Sequence, residues 1–290
     1  MWHRAEISPP TPIAGIAAPW PLVMGIVNVT PDSFHDGGER LDSDAAIAHG
    51  RDLAAAGAVI LDIGGESTRP GAGKVSSEAE LERVIPVIRA LADDGHVVSV
   101  DTRKAAVMAG AVAAGARMIN DITALRHDPE SLALVASLEV PVVLMHSRGT
   151  PGDMQTKTGY DDVVADVMGD LAARIAACVA GGVARDRLII DPGLGFAKTA
   201  RQSAALLANI VRFHALGCPL LIGASRKSFI GALTRTARSE DRLPGSLAAA
   251  LWAGQQGAAI VRVHDVGETV QALEIFRALC YIDGNEELAE

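Results

Sequence analysis

Short apolar runs recur along this chain, and a polar side chain or a glycine follows almost every one of them. The runs are rich in Val, Ile and Leu and do not alternate with polar residues, which is typical of parallel strands buried on both faces. The runs therefore predict eight strands, at residues 22–27, 59–61, 97–100, 118–119, 140–145, 188–190, 220–222 and 259–263.

Alanine-rich segments with helical spacing separate these strands. They predict helices at residues 44–56, 77–93, 104–114, 129–138, 160–180, 201–215, 243–256 and 266–281. An eightfold alternation of strand and helix predicts an α/β fold, a single (β/α)8 TIM barrel over residues 22–282. Residues 1–21 are expected to form an irregular N-terminal lead-in, and residues 283–290 an acidic tail. Because such barrels build their active sites at the carboxyl ends of the strands, the polar residues there mark the predicted site.

Composition limits the classes of partner. The formal charge of −9 argues against nonspecific binding to nucleic acids or to anionic membranes, since both need clustered Lys and Arg. No run of about 18 apolar residues predicts a membrane span. The three cysteines lack metal or redox spacing, which favours a reducing, cytoplasmic location.

Carboxylates and amides form the first group of candidate site residues. Asp62, Asp101 and Asp191 each close an apolar run, and Asn28 and Asn120 do the same. A single aspartate of this kind could equally cap the next helix. Several buried carboxylates, however, are costly unless they are paired or face a ligand. Together these side chains suit a planar nitrogen heterocycle, because a carboxylate can accept two parallel N–H bonds.

Cations form the second group. Arg226 and Lys227 follow the seventh strand, where barrels commonly bind phosphate, and Arg262 and His264 point to the same side of the eighth. An anion such as pyrophosphate would compensate these charges, although Arg226 could also be a solvated surface charge. His146 has no second His or Cys at metal-ligand spacing, so a hydrogen-bonded structural role is favoured over a metal or acid–base role.

At these residues the chain resembles the dihydropteroate synthase family. The matching segments run in family order and lie at residues 24–34, 62–71, 99–102, 119–121, 145–146, 148–151, 191–196, 223–229 and 262–265. The resemblance implies a pterin-binding barrel that joins 6-hydroxymethyl-7,8-dihydropterin diphosphate to 4-aminobenzoate and releases pyrophosphate. It also implies Mg²⁺ as cofactor, a homodimer, and sulfonamides as inhibitors.

The resemblance further implies a role for each site residue. The pterin would be bound by Asp101, Asn120, Asp191, Lys227 and Asp62, and the diphosphate by Asn28, Arg262 and His264, with Asn28 also a ligand of Mg²⁺. The 4-aminobenzoate would be bound by Thr68, Arg69, Pro70, Phe34, Phe196 and Ser228. The implied catalytic residues are Lys227, Asp101, Asp36 and Arg69. The mechanism would be dissociative, so that the protein's contribution is electrostatic. Whether Asp62 touches the ligand or positions its neighbours is left open.

Two other functions share parts of this pattern. A pterin-dependent methyltransferase would have the barrel and the pterin-binding Asp and Asn residues, but would not need the loops at residues 30–38 and 67–70. A catalytically silent paralogue, acting as a binding protein, should have lost loop or anion-binding residues, and none is missing here. Both observations favour an active synthase.

Overall fold

The structure, a computed structural model, describes residues 12–16, 21–30, 39–67, 73, 75–150 and 152–281, without the side chains of 39–42 and 281. Within these ranges strands and helices alternate. The strands are β1 Leu22–Asn28, β2 Ile60–Gly64, β3 Val97–Asp101, β4 Met118–Asp121, β5 Val142–Met145, β6 Leu188–Asp191, β7 Leu221–Ile222 and β8 Ile260–Val263. The helices are α1 Glu39–Ala55, α2 Ser77–Asp93, α3 Ala105–Ala113, α4 Ser131–Ser137, α5 Val163–Ala180, α6 Ala200–Ala208, α7 Ile210–Phe213, α8 Ser228–Thr234, α9 Leu243–Gln255 and α10 Val266–Tyr281.

The eight strands form one parallel sheet in the order β6-β5-β4-β3-β2-β1-β8-β7. Its two edge strands meet at a parallel bridge between Ile190 and Leu220, and the Ile190 N–H donates to the Pro219 carbonyl at 2.9 Å. The sheet therefore curls into a nearly closed barrel with helices between the strands, which confirms the predicted α/β fold, a (β/α)8 TIM barrel. In the described part of the chain, no helix has the length and apolar character needed to cross a membrane.

The barrel interior changes from apolar to polar along the strands. The register pairs Met24 with Ile60 and, two residues further on, Ile26 with Asp62. Because side chains alternate between the two faces of a strand, residues two apart point to the same face. The two pairs therefore belong to successive layers of side chains inside the barrel. The layers at the amino ends are apolar and include Ile13 from the segment 12–16; their other members are Leu22, Met24, Ile60, Met118, Val143, Ile189, Leu221, Ala259 and Ile260. The polar layers, and with them the candidate site, lie at the carboxyl end.

Two helical segments differ from the sequence prediction. The single helix predicted at 201–215 is divided at Asn209, whose side-chain amide donates to the Ala205 carbonyl at 2.8 Å and ends α6. The short helix α8 was not predicted, because seven residues are too few to establish a helical period. It ends at Arg235, which adopts a left-handed conformation with φ +61°.

Candidate active site

A cavity of about 720 Å³ opens at the carboxyl ends of the strands. Many of the predicted site residues line it together, from β1 around the barrel to β8. These are Asn28, Asp101, Asn120, Asp191, Phe196, Lys227, Ser228, Arg262 and His264. The other predicted residues, Phe34, Asp36, Thr68, Arg69 and Pro70, lie outside the described part of the chain.

Asp62 is fully buried and lies below the cavity rather than in its lining. One of its oxygens, Oδ2, accepts a hydrogen bond from Asn120 Nδ2 at 2.9 Å and another from Arg262 Nε at 2.6 Å. Its other oxygen, Oδ1, has no hydrogen-bond partner among the described residues. Asp62 therefore orients both Asn120, a predicted pterin-binding residue, and Arg262, a predicted diphosphate-binding residue.

Arg262 joins two carboxylates. Besides its contact with Asp62, the guanidinium donates through Nη2 to Asp101 Oδ2 at 2.7 Å. Burial opposes the charge on the guanidinium, but Asp62 and Asp101 raise the pKa of Arg262 above its ordinary value. Burial also raises the pKa of the Asp101 carboxyl, and Arg262 opposes that rise. The guanidinium and the Asp101 carboxylate thus partly compensate one another across the cavity.

Asn28 and Asp101 flank Gly64, the last residue of β2. A side-chain carbon built at Gly64 would lie 4.0 Å from Asn28 Oδ1 and 3.9 Å from Asp101 Oδ2. Both oxygens thus border the space over a residue with no side chain. Among the described residues, no group of three or more His, Cys, Asp or Glu could hold a metal ion by itself. Asn28 and Asp101 can contribute only part of a coordination shell.

Asp191 and Lys227 face one another on the β6–β7 side of the cavity. Burial raises the pKa of Asp191, whereas Lys227 and the Gly193 N–H oppose the rise. Burial lowers the pKa of Lys227 to about 8, and Asp191 opposes that change. Lys227 Nζ donates to the Leu194 carbonyl at 2.6 Å and lies 4.9 Å from the centre of the Phe196 ring, a cation–π distance.

His264 is oriented by Ser225. Its Nδ1 lies 3.0 Å from the Ser225 hydroxyl, and its backbone N–H donates to the same oxygen at 3.2 Å. The neighbouring Arg226 is 35% exposed, but its guanidinium forms a salt bridge with Asp265. Ser225 and Asp265 therefore fix the side chains of His264 and Arg226.

The turn after β6 passes close to the end of β5. Asp191 Oδ1 accepts a hydrogen bond from the Gly193 N–H at 2.7 Å. Gly193 has φ +68°, and a side-chain carbon there would lie 2.0 Å from the His146 carbonyl oxygen. Only glycine fits such a position. The turn continues to Phe196, whose N–H donates to the Gly193 carbonyl at 3.1 Å.

Lys198 lies beneath this turn and is 3% exposed. Its ammonium contacts the carbonyls of Gly193 and Phe196, both at 2.9 Å, and Nδ1 of the buried His146 at 3.0 Å. His146 Nε2 in turn lies 3.0 Å from Asp170 Oδ2. Burial lowers the pKa of Lys198 to about 7 and that of His146 to about 4. His146 therefore has the hydrogen-bonded structural role that the sequence favoured.

The sequence interpretation missed Lys198. A weak signal was available, because Lys198 directly precedes Thr199, the N-cap of α6. A positive charge is unfavourable at a helix N-terminus, so a lysine there indicates a specific partner.

Glu66 fixes the stem of the loop after β2 and also lines the cavity. Its carboxylate accepts hydrogen bonds from Arg103 and Lys104, both at 3.0 Å, and from the Val75 N–H at 3.3 Å. Burial alone would raise the pKa of Glu66, but these hydrogen bonds hold it below its ordinary value. The two ends of the loop are thereby joined at the rim of the cavity.

Comparison with known proteins identifies relatives over most of the chain. Residues 24–264 match the family of pterin binding enzymes. The dihydropteroate synthase of Escherichia coli (strain K12) is 49% identical over 259 residues, which cover 89% of this chain and 91% of that protein.

Solved structures agree with the sequence relatives. The Xanthomonas albilineans dihydropteroate synthase with 4-aminobenzoic acid superposes with a TM-score of 0.86 at 53% identity, covering 92% of this chain and 96% of that one. The Yersinia pestis dihydropteroate synthase in a sulfonamide complex gives a TM-score of 0.84 at 47% identity, covering 90% and 94%. Both likenesses extend over the strands that carry the cavity.

Proposed function

This chain belongs to the pterin-binding enzyme family, among the dihydropteroate synthases, and from that membership we propose how its own residues carry out the reaction. The enzyme condenses 6-hydroxymethyl-7,8-dihydropterin diphosphate with 4-aminobenzoate, forming 7,8-dihydropteroate and pyrophosphate in tetrahydrofolate biosynthesis. One observation carries the assignment. A group of carboxylates and amides and a group of cations line the same cavity, side by side, as a pterin bearing a diphosphate requires.

The pterin is bound at the β3–β4–β6 side of the cavity. Asp101, Asn120 and Asp191 offer acceptors and one amide donor to the polar edge of the ring, and Lys227 contacts the ring from β7. Asp62 acts from below, by holding Asn120 and Arg262. Strand-borne side chains are rigid, so this subsite is formed before the substrate binds.

The diphosphate is bound by Arg262 on β8 and by His264, which directly follows that strand. Arg262 suits this task because its planar guanidinium can donate two parallel hydrogen bonds to phosphate oxygens. His264 is oriented by Ser225. Developing negative charge on the leaving group is thereby stabilised by donors that are already in place.

The bond change is dissociative. The carbon–oxygen bond of the pterin's exocyclic methylene breaks and its electron pair leaves with pyrophosphate, so that a cation remains on the pterin. The 4-aminobenzoate nitrogen then forms the new carbon–nitrogen bond and loses a proton to solvent. Asp101 and Asp191 lie beside the developing positive charge and lower its energy. No side chain acts as a nucleophile.

A divalent ion fits beside the diphosphate. Asn28 Oδ1, which borders the space over Gly64, cannot hold an ion alone but suits Mg²⁺, which keeps several waters and shares substrate phosphate oxygens. When bound, Mg²⁺ would supply additional positive charge to the leaving group. Asn28 would be its protein ligand.

The 4-aminobenzoate slot contains Phe196 and Ser228, with Thr68, Arg69, Pro70 and Phe34 contributed by the loops after β1 and β2. Asp36 and Arg69 on those loops would complete the catalytic group around Lys227 and Asp101. The Yersinia pestis relative was solved with a sulfonamide, and the same slot accounts for such binding here.

The decisive experiment incubates the purified protein with pterin diphosphate, 4-aminobenzoate and Mg²⁺ and detects dihydropteroate by mass. Product formation is expected, and sulfamethoxazole should raise the apparent KM for 4-aminobenzoate without lowering kcat. A protein that binds pterin but forms no product would be a silent paralogue. Sulfamethoxazole inhibition that 4-aminobenzoate cannot relieve would contradict the proposed slot.

A homodimer through the later helices is part of this proposal. Ile275 and Leu279 lie four residues apart on α10 and are 61% and 66% exposed, which gives that helix an apolar outer face. Light scattering after gel filtration should give twice the mass of the chain. Ile275→Glu with Leu279→Glu should give the mass of one chain, and an unchanged mass would place the dimer contact elsewhere.

A further inference from the structure

The turn between β6 and α6 depends on a buried ammonium that does not line the cavity. Lys198 Nζ has three protons, and three acceptors surround it, namely the carbonyls of Gly193 and Phe196 and Nδ1 of His146. A protonated Lys198 therefore satisfies each acceptor, with the His146 carbonyl a more distant fourth at 3.4 Å. Because Nδ1 accepts, the His146 proton lies on Nε2, where it is donated to Asp170.

The same turn carries groups that meet Lys227. The Leu194 carbonyl accepts from Lys227 Nζ at 2.6 Å, and the Phe196 ring lies 4.9 Å from the same nitrogen. Lys198 bonds the carbonyls of Gly193 and Phe196, on either side of Leu194. The ammonium of Lys198 thus bonds Phe196 itself and Gly193, the residue before Leu194, and so holds the backbone that carries both groups in contact with Lys227.

We propose that Lys198 is a positioning residue, which holds the turn at residues 193–196 so that Phe196 and Lys227 take the geometry that binds 4-aminobenzoate. This inference rests on the proposed function for the identity of the substrate. Lys198 does not touch substrate in this account. It acts through Phe196 and, by way of the Leu194 carbonyl, through Lys227.

Other supports of the turn are too few to replace it. The Gly195 N–H donates to the Ser203 hydroxyl at 3.1 Å, and the Gly195 carbonyl accepts from the Gln155 side chain at 3.1 Å. Both contacts hold Gly195 alone, and the Gly193 N–H and the Phe196 N–H, which bond Asp191 and the Gly193 carbonyl, leave the Phe196 carbonyl unsupported. Without Lys198, the Phe196 carbonyl and the Nδ1 of His146 would lose their donor, and the Gly193 carbonyl would keep only the Phe196 N–H, which costs more than the loss of a surface hydrogen bond.

A double-mutant cycle tests the proposal. Lys198→Met keeps the length of the side chain and removes the donors. The KM for 4-aminobenzoate should rise about tenfold, more than the KM for pterin diphosphate, because Phe196 belongs to the aminobenzoate slot. In a Phe196→Ala background the same substitution should change that KM less than about threefold, since one of the two groups through which it acts is gone and only the effect through Lys227 remains. If Lys198→Met does not fold, Lys198→Gln, which keeps two donors, is compared in the same cycle.

Arg174→Met is the matched control. Arg174, like Lys198, donates to two backbone carbonyls of one loop, here those of Ala124 and Leu125 after β4, but neither residue lines the cavity. Its loss should lower the melting temperature and leave both KM values near those of the wild type.

Amide hydrogen exchange gives a readout that does not need turnover. In Lys198→Met, exchange should accelerate at Gly195 and Phe196 and remain unchanged at β1 to β4. Additive effects in the cycle, or accelerated exchange throughout the barrel, would overturn the proposal and leave Lys198 a purely structural residue. A wild-type protein that forms no dihydropteroate would instead count against the proposed function, and the exchange result would still decide whether Lys198 holds the turn.

Discussion

Lys227 stands between a carboxylate, a carbonyl and an aromatic ring, and each contact has a separate consequence. Asp191 compensates its charge, the Leu194 carbonyl at 2.6 Å fixes its position, and the Phe196 ring stabilises the ammonium from its other side. A cation held in this way needs little reorganisation when charge develops on a ligand nearby.

Removal of Lys227 should therefore abolish most activity. For Lys227→Ala we expect kcat/KM to fall by about 10²- to 10³-fold, the typical effect of losing one preorganised electrostatic group. The protein should still fold, although its free energy of unfolding should fall by about 1–3 kcal/mol, because Asp191 and the Leu194 carbonyl lose a buried partner. The measurement is a pyrophosphate-release assay together with chemical denaturation.

The control for this prediction is Lys157→Ala. Lys157 is exposed and paired with the exposed Asp153 at 2.7 Å, so its loss should alter neither rate nor stability measurably. Wild-type-like rates in Lys227→Ala would remove Lys227 from the catalytic group.

The turn after β6 links the packing of the barrel to its chemistry. Gly193 touches the end of β5, and the residues that follow it reach the cavity at Leu194 and Phe196. A side chain at Gly193 would collide with the His146 carbonyl and displace the turn. The displacement would reach the contacts that Leu194 and Phe196 make with Lys227.

Gly193→Ala should destabilise the protein more than an alanine at another left-handed glycine. At Gly193 both the positive φ and the 2.0 Å contact oppose a side chain, so we expect a loss of about 3 kcal/mol in the free energy of unfolding. At Gly95, φ is +88° but a side-chain carbon would meet nothing within 4 Å, so Gly95→Ala should cost about 1 kcal/mol. Equal losses in urea denaturation would show that backbone strain alone explains both.

Strand positions could be predicted from the sequence, whereas the support beneath the site could not. Each strand is buried on both faces, so its apolar run is visible without any tertiary information. The contacts of Asp62 with Asn120 and Arg262 join residues from three strands far apart in the chain, and only the closure of the barrel brings them together. Lys198 was missed for the same reason, because a buried and an exposed lysine look alike in sequence.

Across the part of the protein that the structure describes, two lysines have depressed pKa values, about 8 for Lys227 and about 7 for Lys198. The unfolded values are near 10.4, so above these pH values the folded state binds fewer protons than the unfolded state. The contribution of these groups to stability therefore rises with pH, while the charge that activity needs is lost.

We therefore expect kcat/KM for pterin diphosphate to fall above about pH 8 although the protein stays folded. The check is a rate profile between about pH 6.5 and 9.5, with thermal unfolding measured at the same pH values. Lys227→Arg should move the fall in rate to higher pH, because arginine stays charged. A fall in rate that coincides with unfolding would rule out the deprotonation of Lys227 as its cause.

The pairing of Arg262 with Asp62 and Asp101 should make the proposed site selective against the common anions of the cell. An incoming anion must compete with two carboxylates for one guanidinium, and inorganic phosphate offers those carboxylates only its O–H groups in exchange. A pterin diphosphate bound as proposed would bring phosphates for the arginine and ring N–H groups for Asp101. Free phosphate should therefore be a weak inhibitor, although the Arg262 side chain is 21% exposed and within its reach.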